Sequence, residues 1–302
     1  MGRVTSRSPA LRIELTPDGP RSTRRPDTLT VEEPLEVRVG GRALSVTMRT
    51  PGDDFDLALG FLLTEGLVRS ADDVARLMHC LDSGEDGRPT YNVVDVTLAD
   101  GVPTPDVSLE RSFYTTSSCG VCGKASIDAV RTRSAYDVRD FLPAVSAEVL
   151  MSLPDELRTA QKVFDRTGGL HAAGLFTARG ELLVVREDVG RHNAVDKVIG
   201  WAARGGLLPL AEHILMVSGR ASFELTQKAS MAGIPVLAAV SAPSHLAVEL
   251  AEEAGLTLIG FLRPPTMTVY AGTERLEERA AAGLVQDGTG ETVEEGMARG
   301  WS

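Results

Sequence analysis

What most constrains this chain is a change of rhythm near its middle. After Gly168-Gly169, short apolar runs alternate with longer amphipathic stretches up to about residue 262. Residues 173–177 and 181–186 read as strands joined by a tight Ala178-Arg179-Gly180 turn, 190–204 as a helix and 214–217 as a buried strand. Residues 222–232, 235–240, 245–254 and 256–262 continue as helix, strand, helix and strand. Helices placed between short buried strands act as crossovers, so this half is expected to be an α/β layered domain. The first half has a different pattern. Val37, Val39, Leu44, Val46 and Met48 alternate about Gly40-Gly41, as in a half-buried strand pair. Residues 51–67 read as a helix with Phe55, Leu59, Leu62 and Leu63 as its buried stripe, and residues 74–98 return to alternation broken by a turn at 82–89.

These patterns divide the chain into an arginine-rich tail (1–28) that reads as mobile or as an outer strand, a smaller α+β N-terminal domain (29–102), a Ser/Thr/Gly-rich flexible loop (103–136), an α/β domain (137–273) and an acidic C-terminal tail (274–302). A helix at 154–167, ending at Gly168-Gly169, opens the larger domain. The net charge of −11 argues against general coating of nucleic acid, which needs a basic face, but leaves room for one local anion pocket. Apolar runs such as 234–240 are too short to span a bilayer, and no secretory signal or disulfide framework is evident. The expectation is therefore a soluble, cytoplasmic protein without membrane or nucleic-acid partners.

The sharpest local signal is Ser118-Cys119-Gly120-Val121-Cys122-Gly123-Lys124 in the loop. Two thiols at this spacing can share a metal, exchange a disulfide, or assist one another, and nearby amides and Lys124 favour the thiolate. The one remaining cysteine, Cys80, sits in an apolar stretch and reads as a small core residue, so a four-thiol zinc site within one chain is excluded and no metal is expected. His171 precedes a strand within Gly169-Leu170-His171-Ala172-Ala173. Zinc deaminases carry a proton-shuttling Glu two residues after such a His, but this chain has Ala173 there. The run from Arg186 to Lys197 is dense in polar groups, and its His192 and Asp196 share a helix face, which suits an orienting pair, half a metal site or an ordinary ion pair. Ser218-Gly219-Arg220 lies between a buried strand and a helix, an arrangement that presents amides and a cation to an anion. The segment Phe261-Leu262-Arg263-Pro264-Pro265-Thr266 follows the last expected strand, where ligands of open α/β sheets collect.

Taken in series, Ser118–Ala125, Gly169–Ala173, Glu187–Lys197 and Val217–Glu224 resemble the formate dehydrogenase accessory protein FdhD family of sulfurtransferases, over roughly residues 29–271. The resemblance implies a cytidine-deaminase-like three-layer sandwich for the C-terminal domain, without the deaminase chemistry. It implies sulfur carried as a persulfide on Cys119, with Cys122 auxiliary, from a cysteine desulfurase to a bis(molybdopterin guanine dinucleotide) molybdenum cofactor, a sulfur acceptor and not a permanent group. The enzyme served would be formate dehydrogenase, and a homodimer is expected. The family's cofactor loop falls on residues 261–266, and Arg191, Arg220 and Lys228 are expected to hold the phosphates, with His171, Ser218 and Gly219 beside them. The alternatives are a non-catalytic chaperone that carries the cofactor, a zinc-dependent deaminase-like hydrolase using His171, Cys119 and Cys122, and a plain disulfide reductase.

Overall fold

The computed structural model describes residues 3–80, 90–104 and 134–277. The first 28 residues, expected as a mobile tail or an outer strand, lie in a long antiparallel hairpin, β1 (Thr5–Thr16) and β2 (Gly19–Thr30). Leu11, Ile13 and Leu15 alternate with charged residues along β1, and this period-two pattern was obscured by the surrounding arginines. The smaller α+β part follows. Strands β3 (Glu33–Val39) and β4 (Arg42–Arg49) turn at Gly40 and Gly41, both with positive φ. With β5 (Val74–His79) and β6 (Val93–Leu98) they form a four-stranded sheet in the order β4-β3-β6-β5. Cys80 directly follows β5 and is half-buried, its N–H donating to Val93 O, so it lies at the margin of the core and not inside it.

The larger sheet has six strands in the order β12-β11-β10-β9-β7-β8. They are β7 (His171–Thr177), β8 (Leu182–Asp188), β9 (His213–Val217), β10 (Val236–Ala239), β11 (Thr257–Arg263) and β12 (Thr266–Ala271). Strands β9, β10 and β11 are parallel, whereas β7, β8 and β12 run antiparallel to a neighbour. Ala172, Phe176, Ile214, Met216, Val236, Ala238 and Ile259 face α2 (Ala147–Ala160), meeting its Leu150, Leu153 and Leu157. Ala173, Leu175, Leu215, Val217, Leu237, Ala239 and Leu258 face the opposite way. They meet α4 (Arg191–Arg204), α5 (Phe223–Met231) and α6 (His245–Ala254). Helices therefore cover both faces, which is why these strands read as nearly continuous apolar runs.

Two sequence expectations shift. The helix expected at 154–167 begins earlier, at Ala147, because Ser146 caps it by accepting from Val149 N–H; Pro154 lies inside the helix. It ends at Ala160, and a separate short helix, α3 (Phe164–Thr167), stops at Gly168 in the left-handed conformation. The segment 261–266 is also not a loop after the last strand. It comprises the last three residues of β11, the Pro264-Pro265 turn and the first residue of the unexpected edge strand β12.

The two parts share one core. Helix α1 (Asp54–Thr64) places Leu57, Ala58 and Leu62 in the same apolar cluster as Val195, Val198 and Ile199 of α4. Their backbones touch at two glycines: a Cβ at Gly60 would overlap the carbonyl oxygen of Asp196, and one at Gly200 would overlap that of Asp56. Among the described residues, no helix is long and apolar enough to cross a membrane.

Candidate functional site

The carboxyl ends of β9, β10 and β11 lie at one edge of the six-stranded sheet. Because β7 runs antiparallel to β9, its first residue, His171, sits at the same edge. Backbone bonds tie these ends into a row. Ser218 N–H donates to Ala172 O (3.0 Å), Ser241 N–H to Gly219 O (3.2 Å), and Phe261 N–H to Ser241 O (3.2 Å). The Ser218 hydroxyl accepts from Ala172 N–H (2.9 Å), so its role is to clamp β7 to β9. Gly219 lies against the imidazole of His171, and a Cβ there would be 3.5 Å from Nδ1.

Helix α4 starts at this edge and brings Arg191 and His192. Burial, followed by the charge of Arg191 and then His192, pulls the His171 imidazole below its ordinary value, with Asp188 opposing. His171 is thereby biased toward the neutral form, an acceptor or donor beside a cation. The Nε of Arg191 is buried without a hydrogen-bond partner in the structure, a group whose desolvation a bound anion would compensate. His192 Nε2 lies 3.5 Å from Ser222 Oγ and 3.7 Å from the Glu224 carboxylate, and this contact holds the Glu224 carboxyl down at about 2. Arg220 is exposed on the turn before α5. At the end of β11, Arg263 is exposed and donates through Nε to Val240 O, while Phe261 is half-exposed with φ of 49°. Pro264, Pro265 and Thr266 are exposed, with Thr266 Oγ1 bonded to Arg263 O.

Two expected site residues and one expected pair are placed differently. Leu262 is fully buried with α2 and presents no surface to a ligand. Lys228 is buried away from the edge: its ammonium donates to both Asp196 oxygens (2.9 Å) and to Thr64 Oγ1 (2.8 Å), with Glu65 at 3.6 Å. His192 and Asp196 do not act as a pair, since the first faces Glu224 and Ser222 and the second faces Lys228. The polar run between Arg186 and Lys197 is largely structural. Buried Asp188 accepts from Lys197 Nζ, Asn193 Nδ2, Gly190 N–H and Thr50 N–H. Asn193 also donates to Met48 O and Lys197 to Thr50 O, so the run fastens the α/β part to the α+β part. Glu224 and Ser241 were not anticipated. Ser241 could have been found from the sequence, because it directly follows a strand that ends at this edge.

Cys119, Cys122 and Lys124 lie outside the described residues. Among the described residues no cluster of His, Cys, Asp or Glu could hold a metal ion. At the position where a deaminase would carry its proton shuttle, Ala173 is buried against the helices.

What remains is an edge with guanidinium groups, a low-pKa imidazole and a bare glycine, on a chain whose net charge is negative. The model of the FdhD/NarQ family matches residues 30–277, which takes in the four- and six-stranded sheets and this whole edge. The chain belongs to the FdhD/NarQ family. It is 62% identical over 283 residues to the sulfur carrier protein FdhD of Streptomyces avermitilis, covering 93% of this chain and 99% of that protein. The sulfur carrier protein FdhD of Mycolicibacterium paratuberculosis is also 62% identical, over 252 residues, 83% of this chain and 93% of that one. A crystal structure from Desulfotalea psychrophila, of a protein provisionally named a formate dehydrogenase accessory protein, superposes with a TM-score of 0.67. That match covers 90% of this chain and 99% of the other at 22% identity, which establishes a shared fold. The FdhD/NarQ match begins at the last residue of the β1–β2 hairpin and runs through the four- and six-stranded sheets.

Proposed function

We propose that this FdhD/NarQ protein is a sulfurtransferase that carries sulfur as a persulfide on Cys119. It would receive the sulfur from a cysteine desulfurase and give it to the molybdenum of bis(molybdopterin guanine dinucleotide) for formate dehydrogenase, in the cytoplasm. The observation that carries this reading is the 62% identity, along nearly the whole chain, to a protein named a sulfur carrier. The thiol pair Cys119-Gly-Val-Cys122 supplies the chemistry such a carrier needs. In the cytidine-deaminase-like reading of the six-stranded sheet, its edge binds the acceptor but no longer deaminates, consistent with alanine at position 173.

The chemistry follows from the sulfur atoms. In a persulfide the outer sulfur is bound to the Cys119 sulfur. On transfer, that S–S bond breaks with its electron pair staying on Cys119 as thiolate, and the acceptor supplies the pair for the new bond. A stabilised thiolate is a good leaving group, so groups that lower the thiol pKa promote delivery. Cys122 is an auxiliary thiol. The acceptor's pyrophosphates are anionic, and Arg191 with its unpartnered Nε, together with Arg220 and Arg263, suits their recognition. His171, biased toward its neutral form, can bridge to the same phosphates or to the guanine. Lys228 and Leu262 are left out of this site because both are buried elsewhere.

The test is peptide mass spectrometry after incubation with a cysteine desulfurase and cysteine, without reductant. One added sulfur is expected on the Cys119 peptide, removed by dithiothreitol and absent in Cys119→Ala. No added sulfur, under conditions that load a known acceptor, would leave a non-catalytic carrier of the cofactor as the better reading.

A further inference from the structure

Two positive side chains stand where a helix tolerates them least. Arg191 and His192 are the first two residues of α4, and the first turn of that helix contains no acid. The free amides there make it the positive end of the helix, so α4 itself opposes a cation at this position. The proposed anion site accounts for Arg191 but leaves His192 unexplained.

The missing carboxylate comes from a neighbouring helix. Glu224 lies in the first turn of α5, 3.7 Å from His192 Nε2, and the two side chains are 24% and 19% exposed. Ser222, at the cap position of α5, would ordinarily turn its hydroxyl onto the amides of its own helix. It makes no such bond, and its Oγ lies 3.5 Å from the same His192 nitrogen. A hydrolytic triad places the acid and the hydroxyl on different ring nitrogens. Here both face Nε2, so Ser222 is not set up as a nucleophile and the pair instead fixes the ring. The contact with His192 holds the Glu224 carboxyl down at about 2, so it is ionised at neutral pH and directs a proton to Nε2. Nδ1, across the ring, is left for another partner.

We infer that His192 binds the anionic acceptor through Nδ1, and that Glu224 is the positioning residue that sets the proton on Nε2. The identity of the acceptor rests on the sulfur-carrier reading above. In the imidazolium, Nδ1–H is a donor beside Arg191 and the charge of Glu224 is neutralised. Once one proton is lost, Nδ1 presents a lone pair and the Glu224 carboxylate stands uncompensated, so the same anion is repelled. The other charged or titratable groups around the ring are Arg191 on α4, His171 on β7 and Arg220 before α5. Asp188 at the end of β8 is taken by Lys197, and Lys228 further along α5 by Asp196.

The test is calorimetry with diguanosine pyrophosphate, a diester without the phosphate proton that titrates near pH 6 in a monoester. In the native chain, affinity should fall about tenfold from about pH 5.5 to about pH 8, the loss of one charge-assisted bond. In Glu224→Gln the fall should begin about one pH unit lower, because the opposite charge beside the ring is gone. It should also be smaller, since no carboxylate remains to repel the anion, and in His192→Gln it should flatten. Repeating each in a His171→Gln background removes the titration of the neighbouring imidazole. On the native chain, long-range proton–nitrogen NMR should show His192 Nε2 protonated throughout, a signature that needs no variant to fold. An unchanged profile in Glu224→Gln, no binding by the native chain, or a neutral ring protonated on Nδ1 would overturn the inference. Absence of a Cys119 persulfide would count against the sulfurtransferase reading alone and leave this profile standing.

Discussion

Replacing Lys228 with methionine separates the structural reading of this residue from a phosphate-binding one. In the native chain the Asp196 carboxylate accepts two bonds from Lys228 and one from Thr64, all buried between α1, α4 and α5. Burial pushes the Asp196 carboxyl up, and Lys228 and Thr64 draw it back. On the ammonium, burial acts downward but Asp196 and Glu65 outweigh it, so Lys228 is held charged. Methionine keeps the length of the stem and removes the charge. Asp196 then has Thr64 as its remaining donor, and breaking a buried pair in this way costs about 3–5 kcal/mol. The variant can limit this cost by protonating Asp196. Against an unfolded value near 3.9, and at about 1.36 kcal/mol per pH unit, protonation caps the loss at about 4 kcal/mol at pH 7 and about 1.5 kcal/mol at pH 5. The sign follows from a folded pKa raised above the unfolded one. Stability is fully present below about pH 3.9 and is lost as pH rises toward the folded value. Equilibrium urea unfolding of native and variant chains between pH 5 and 8 reads this directly, and adding Asp196→Asn should recover about half of the loss or more at pH 7. A loss below about 1 kcal/mol, or one independent of pH, would refute the reasoning and return Lys228 to the list of available cations.

The remaining predictions address the helix contact and the sheet edge. Gly200→Ala should lower stability by about 3 kcal/mol in the same urea experiment, although elsewhere in a helix that change gains up to about 1 kcal/mol, because its methyl meets the carbonyl of Asp56. By NMR, His171 should titrate below about 6.5 and move up toward that value in Arg191→Ala. Its depressed pKa means that its share of stability is present above pH 6.5 and is lost as pH falls through the folded value. Arg191→Ala and Arg220→Ala should each weaken binding of guanosine diphosphate, used as a probe of the acceptor's nucleotide end, by about tenfold in calorimetry, with thermal midpoints within about 2 °C of native.

The α/β half was legible because its periodicity had no competing signal. The helix read at 245–254 matches α6 residue for residue, and β9 and β10 fall within a residue or two of the expected strands. The misses came where one residue type carries two meanings. Pro154 was read as a helix start, a position proline favours, while the actual signal was Ser146, whose hydroxyl accepts from Val149 N–H. Pro264-Pro265 was read as the end of the sheet, yet it is the turn into β12, whose pattern from Thr266 to Ala271 is only half-buried because the strand lies at an edge. Six arginines left the first 28 residues open between a mobile tail and an outer strand, although Leu11, Ile13 and Leu15 already alternated among them.

The site was partly legible for a more general reason. Polar side chains that bind a ligand and polar side chains buried in ion pairs are the same residues, and density along the chain does not distinguish them. Helical period does. Asn193, Asp196, Lys197 and Gly200 stand at i, i+3, i+4 and i+7, which is the buried stripe of α4 occupied by polar groups and ending in a glycine. Such a stripe has to face donors and acceptors at close range. Here it finds Met48 O, Thr50 O and Thr64 on the α+β part, with α1 drawn close by Gly60 and Gly200. Arg191 and His192 precede that stripe, in the first turn of α4, where it meets the sheet edge beside His171 and Ser222. Fixing the helix through its inner face is what holds those two residues at the edge without the flexibility of a loop. Loosening the inner stripe should therefore weaken the proposed anion binding as well as stability, even though its residues face the α+β part and not the edge.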